Sequence, residues 1–180
     1  MPPQLAKKFY SQLIDALDFL HSNCVYHRDI KLDNLLVDGS SIRVCDFGLS
    51  VVSQKDSLPI QVNGTEAYMP PEMWEYIFSD RVGFASGEEY ILSKADLYSA
   101  GICLYNLTTN ELAFQKAHDS DPSYSLFREN VEQWWGYSPH DWDIHLKNLL
   151  TFALHFNPST RLGINEIRKH DWYTLDNITL

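Results

Sequence analysis

Residues 27–34 read His-Arg-Asp-Ile-Lys-Leu-Asp-Asn, and residues 46–48 read Asp-Phe-Gly. These two stretches hold the side chains best suited to do chemistry. Asp29 offers a carboxylate that can orient a hydroxyl, and Lys31 a cation that can offset phosphate charge. Asn34 and Asp46 both offer oxygen ligands. Such ligands suit Mg²⁺, which keeps several waters and takes one or two protein carboxylates together with phosphate. A carboxylate, a cation and a metal cage in one place are what phosphoryl transfer needs. Taken singly, a loop Asp is usually a solvated or turn residue. The spacing of the two clusters is what argues otherwise.

The elements between them explain why the clusters would meet. Leu35-Leu36-Val37 and Ile42-Arg43-Val44 are short β-type runs, and Asp38-Gly39-Ser40-Ser41 between them reads as a hairpin turn. A hairpin returns the chain to its starting end, so Asn34 and Asp46 are expected side by side at the open end. Val25-Tyr26 is a further short β-type run. Upstream, Leu5, Phe9, Leu13, Leu17 and Leu20 repeat at helical spacing over residues 4–22, with Pro2 and Pro3 suited to the start.

Downstream, residues 49–71 show no helical period and are broken by Pro59, Asn63-Gly64 and Pro70-Pro71. A loop of that length inside a compact domain is usually functional or disordered. The run Ala95–Leu107 is apolar on most sides, the pattern of a buried central helix. Helical patterns follow at 123–135, 142–155 and 163–170. With little β structure, and that early, the expected class is α+β, mainly α, in a single domain spanning residues 1–180.

At these motifs the sequence resembles the protein kinases, whose catalytic loop reads H-R-D-x-K-x-x-N and whose metal loop reads D-F-G. The likeness continues in order. Gly64-Thr65-Glu66-Ala67-Tyr68-Met69-Pro70-Pro71-Glu72 resembles the end of an activation segment, here about 46–72. Asp96-Leu97-Tyr98-Ser99-Ala100-Gly101 resembles the start of the central helix. Asn157-Pro158-Ser159-Thr160-Arg161 and His170-Asp171-Trp172 resemble the closing motifs. In style the catalytic loop is similar to the calmodulin-dependent and AMP-activated branches.

The resemblance implies roles, position by position. Asp29 becomes the base that orients the acceptor hydroxyl, and Lys31 the contact to the γ-phosphate of ATP. Asn34 and Asp46 become the Mg²⁺ ligands, and Leu36 the residue beneath the adenine. Thr65 becomes the partner of Asp29 and Lys31, a combination that favours serine/threonine over tyrosine acceptors. His27, Phe47 and Asp96 match core-anchoring positions, and Glu72 and Arg161 a buried ion pair. Arg28 implies control by a phosphate on the activation loop, placed by an upstream activating kinase. Ser50, Ser53, Ser57 and Thr65 supply hydroxyls there, with Ser53 or Ser57 preferred. Asp33 stands where kinases of basic peptides hold an acid, but Asn106 replaces their second one. Departures are Pro70 in place of alanine, Tyr98 in place of tryptophan, and a longer stretch at Tyr76–Ser93. That stretch contains Gly83, Gly87 and Glu88-Glu89 and is expected to be a surface loop.

The resemblance also implies that half of the ATP site is not encoded. No glycine-rich phosphate loop, V-A-I-K lysine or adenine hinge precedes residue 1. The expected architecture is a kinase-like C-terminal lobe with its N-terminal lobe absent, through truncation or as a natural fragment. Two readings stand at this stage. One is an ATP- and Mg²⁺-dependent transferase acting on serine or threonine of protein substrates. The other is a non-catalytic lobe used as a docking or regulatory module.

Bulk properties narrow the field. Across 180 residues the net charge is −10, which does not favour a nucleic-acid-binding surface. The three cysteines, Cys24, Cys45 and Cys103, are scattered and odd in number, suggesting neither a disulfide framework nor a zinc site. Cys45 reads as a small buried residue, and Trp134, Trp135 and Trp142 as core. No signal-peptide or membrane-spanning pattern is evident, so no membrane partner is expected. The expected compartment is the cytoplasm, with the nucleus an open alternative.

Overall fold

The structure, a computed structural model, describes residues 1–79 and 89–175. Helix α1 runs from Pro3 to Ser22, opened by prolines whose fixed φ suits a first turn. Its stripe of Ala6, Phe9, Tyr10, Leu13, Ile14 and Leu17 is buried. That face packs on α3 (Leu92–Thr109), the central helix, whose residues are buried without a break from Ala95 to Tyr105. Asn110, at φ +62°, ends it in the left-handed conformation that Asn tolerates better than most residues. A Cβ on Gly101 would lie 2.9 Å from Leu154 Cδ2, so the glycine permits the close seat of the later helices on α3.

Among the described residues, three two-stranded antiparallel sheets accompany this core. β1 (Val25–Tyr26) pairs with β4 (Val51–Val52). β2 (Leu35–Asp38) pairs with β3 (Ser41–Val44), register Leu35↔Val44. β5 (Ser57–Pro59) pairs with β6 (Glu89–Ile91). The hairpin turn is only Gly39-Ser40, with Gly39 at φ +60°, so Asp38 and Ser41 belong to the strands.

The remaining helices are α2 (Pro71–Phe78), α4 (Pro122–Glu129), α5 (Val131–Gly136), α6 (Ile144–Ala153), α7 (Ile164–Lys169) and α8 (Asp171–Thr174). The pattern expected as one helix over 123–135 is two. Asn130 ends α4 and caps α5, its Oδ1 accepting the Gln133 N–H at 3.1 Å. Trp134, Trp135 and Trp142 are buried as expected, in edge contacts of 4.7 and 4.9 Å between neighbouring rings.

Two expectations need correction. Residues 49–71 are not irregular throughout: β4, β5 and a 3-10 turn at Glu66–Tyr68 lie within them. Their strand pairing is to distant segments, which local periodicity cannot register. Nor is Tyr76–Ser93 simply a loop, because Tyr76 lies in the last turn of α2, Glu89 opens β6 and Ser93 lies in α3; Gly83, Gly87 and Glu88 lie outside the described residues. No helix among the described residues is long and apolar enough to cross a membrane.

Candidate active site

The site is organised from behind by Asp96, in the second turn of α3 and 1% exposed. Its carboxylate accepts the backbone N–H groups of His27 at 2.9 Å and Arg28 at 2.8 Å, and pairs with His21 Nε2 at 2.9 Å. Arg28 sits at φ +66°, a conformation that costs a non-glycine residue about 1–2 kcal/mol. The two bonds to Asp96 offset that cost, and the next residue, Asp29, faces Thr65. His27 is fully buried; its Nε2 meets the Cys45 carbonyl at 3.0 Å, and its ring packs on Phe47 at 4.9 Å. One imidazole thus ties the loop at 27–34 to the Asp46 segment.

Around the Asp29 carboxylate the expected partners converge. Lys31 Nζ donates to Asp29 Oδ2 at 2.9 Å and to Thr65 Oγ1 at 2.8 Å. Thr65 Oγ1 donates in turn to Asp29 Oδ1 at 2.8 Å, which closes a ring of three side chains. Asn34, 5% exposed, directs Nδ2 to the Asp29 carbonyl at 2.8 Å and to Oδ2 at 3.3 Å. Burial pushes the Asp29 carboxyl upward. Hydrogen bonds from Lys31, Thr65 and Asn34, with the Lys31 charge, outweigh it and hold the group below the ordinary carboxylate value. Gly64 admits Thr65 to this ring: at φ +101° its Cα lies against the loop, and a Cβ there would come 2.9 Å from the Arg28 carbonyl.

The chain returns beside Asn34 at the open end of the hairpin, one residue before Asp46. Cys45 N–H donates to the Asn34 carbonyl at 2.9 Å, continuing the β2–β3 ladder by one step. Asp46 follows at φ +62°, its Oδ1 accepting the Gly48 N–H at 3.3 Å. Both Asn34 amide hydrogens are committed to Asp29, so Oδ1 is the atom left for a ligand. One amide oxygen and one exposed carboxylate are a hard, sparse donor set. It fits Mg²⁺, which brings its own waters, and not a soft metal. Leu36 is 56% exposed on the hairpin, and Phe47 is 44% exposed. Cys45 departs from its expected burial: it is half-buried, with Sγ 3.4 Å from the Asn34 carbonyl.

The chain matches the family model for the protein kinase domain over residues 1–173. The chain belongs to the protein kinase family. It is 36% identical to CBL-interacting protein kinase 28 of Oryza sativa subsp. japonica over 172 residues, covering 93% of this chain and 36% of that protein. CBL-interacting serine/threonine-protein kinase 13 of Arabidopsis thaliana is 35% identical over 172 residues, covering 93% of this chain and 31% of that protein. The chain therefore spans about a third of the length of these relatives. Residues 27–34 are the stretch expected to be the catalytic loop, and residues from Asp46 to Glu72 the stretch expected to be the activation segment. Glu72, which ends that segment, meets Arg161 at 2.9 and 2.8 Å in a bidentate pair.

Some partners in this kinase site carry no sequence signal. The Arg28 guanidinium donates to Gln61 Oε1 at 3.3 Å, so a neutral amide stands on the arginine read as a phosphate ligand. Ser50 Oγ instead donates to the Phe47 carbonyl at 2.7 Å, and Ser53 Oγ to the Lys55 carbonyl at 2.8 Å. Asp33 is exposed in the 3-10 turn Leu32–Asn34, and Asn106 Nδ2 donates to the Glu111 carbonyl at 3.0 Å. Of these pairings Arg28–Gln61 joins distant segments, and the others are local turns whose partners residue spacing does not name.

Proposed function

We propose that this chain is the catalytic-loop half of a serine/threonine protein kinase, transferring the γ-phosphoryl group of ATP to a hydroxyl of a protein substrate. The observation that carries the reading is the closed ring Lys31–Thr65–Asp29 with Asn34 behind it. Three donors on one carboxylate keep Asp29 ionised at neutral pH. An ionised Asp29 can accept the hydrogen bond of an incoming serine or threonine hydroxyl and aim its oxygen. Lys31, bonded to the same carboxylate, would offset the charge of the γ-phosphate. Bound at Asn34 and Asp46, Mg²⁺ would neutralise phosphate charge. Leu36 offers an apolar seat for the adenine, and the other half of the nucleotide site would come from an N-terminal lobe.

The test is label transfer from γ-labelled ATP to a serine/threonine peptide by the protein joined to that lobe. Transfer should require Mg²⁺, spare a tyrosine peptide, and fall about 10²–10⁴-fold in kcat for Asp29→Asn. Equal turnover by Asp29→Asn and wild type would remove Asp29 from the role.

A further inference from the structure

Helix α3 begins with a problem. The first N–H groups of any helix lack intrahelical partners, and the residue at its N-cap, Ile91, has no side-chain acceptor. The acceptors come from Asp56, 37 residues before Ser93 and in the activation segment. The Asp56 carbonyl takes the Leu92 N–H at 3.3 Å. Its carboxylate takes the Ser93 N–H on Oδ1 at 2.7 Å and the Ser93 hydroxyl on Oδ2. The carboxylate charge also suits the positive end of an 18-residue helix. Directly after Asp56, β5 zips onto β6, and two residues beyond β5 Gln61 receives Arg28.

The same helix end controls the catalytic loop. Asp96, three residues after Ser93, holds the N–H groups of His27 and Arg28. One terminus of α3 therefore fixes the activation segment through Ser93 and the catalytic loop through Asp96.

We propose that Asp56 is a positioning residue, which docks the activation segment on the first turn of α3 and orders it without a phosphoryl group. The proposal deepens the kinase reading and names its mode of regulation. Asp56 supplies from within the segment an anion that modification would otherwise have to add. Gln61 meanwhile occupies the Arg28 guanidinium with a group that cannot be phosphorylated. Asn at position 56 keeps the acceptor for the Ser93 N–H, whereas Ala keeps only the carbonyl bond to the Leu92 N–H.

Hydrogen–deuterium exchange on the whole chain tests this, with and without prior phosphatase treatment. Phosphatase should leave exchange unchanged in peptides covering 56–62 and 89–95. Asp56→Ala should speed exchange in both by about fivefold, the size expected for losing a helix cap, while peptides of α1 stay protected. Asp56→Asn should stay within about twofold of wild type. Wild-type exchange in Asp56→Ala, or faster exchange after phosphatase alone, would overturn the proposal. If Asp56→Ala also deprotects α1, Ser93→Ala is read instead, with a rise of about twofold expected in the same peptides and no rise counting against the proposal. Exchange is read without nucleotide. Absent phosphoryl transfer with this exchange pattern intact would therefore sink the activity and leave the docking standing.

Discussion

Arg161 reaches Glu72 from the far end of the chain, with both terminal nitrogens on the two carboxylate oxygens at 2.9 and 2.8 Å. The arginine side chain is fully buried and the glutamate 14% exposed. Two further donors of Arg161 reach the carbonyls of Lys94 at 2.9 Å and His155 at 3.1 Å, and its guanidinium lies 4.9 Å over the Tyr98 ring. Tyr98, the departure from tryptophan, thus still gives the cation an aromatic face. Breaking a buried pair from one side strands the other charge. Arg161→Ala should cost about 3–5 kcal/mol in urea unfolding and open the activation segment to protease. A loss below about 0.5 kcal/mol would contradict this, being no more than an ordinary surface substitution costs.

The Asp29 ring carries a pH consequence. The folded carboxyl titrates below its unfolded value of about 4 because the Lys31, Thr65 and Asn34 bonds overcome burial. A depressed acid contributes stability that is complete above the unfolded value and is lost as pH falls through the folded one. Thr65→Val removes one donor, so the Asp29 titration should move upward in carbon-detected NMR and acid unfolding should begin at higher pH. An unmoved titration would show that Thr65 does not support the charge.

His170 titrates in the opposite direction of charge. Burial lowers its pKa against the attraction of Asp171. Its Nδ1 accepts the Trp172 N–H at 3.2 Å, and Nε2 meets Asn148 Oδ1 at 2.8 Å. That arrangement requires the neutral ring with its proton on Nε2. A depressed base favours the folded state fully above its unfolded value of about 6.5, and the benefit fades as pH drops below it. Stability should therefore decline from about pH 6.5 downward, and His170→Gln should flatten that slope. Parallel slopes for the two proteins would contradict the assignment.

The hairpin exposes Leu36 at 56% and Val37 at 60%, with Phe47 at 44% on the loop that follows. Exposed apolar surface of this kind favours association when nothing covers it. The chain should self-associate in light scattering as concentration rises, and Leu36→Ser with Val37→Thr should reduce it. A clean monomer at high concentration would count against a buried role for this face.

The candidate site was legible because most of its members lie within a few residues of each other or across one hairpin. Asp29, Lys31 and Asn34 share a loop, and the hairpin turn carries Asp46 back to them. Thr65 was readable only through resemblance, since nothing local ties it to Asp29. Helices α1 and α3 showed in their apolar spacing, but α2 did not. Its eight residues follow Pro70 and begin with Pro71, and its buried side chains, Pro71, Met73 and Trp74, are too few to set a period. The β4 and β5 strands, and the clamps Asp56–Ser93 and Arg28–Gln61, join segments far apart in sequence. Spacing rules see only neighbours, so these pairings were out of reach.

The account rests on Asn34 and Asp46 sharing one magnesium–nucleotide site beside Asp29. Paramagnetic Mn²⁺ added with ATP, read by NMR line broadening, addresses it most directly. Broadening should be strongest at the Asn34 side-chain amide and the Asp46–Gly48 backbone, and Asp46→Asn should abolish it there. Weak broadening scattered over the acidic surface, unchanged by that substitution, would contradict the site.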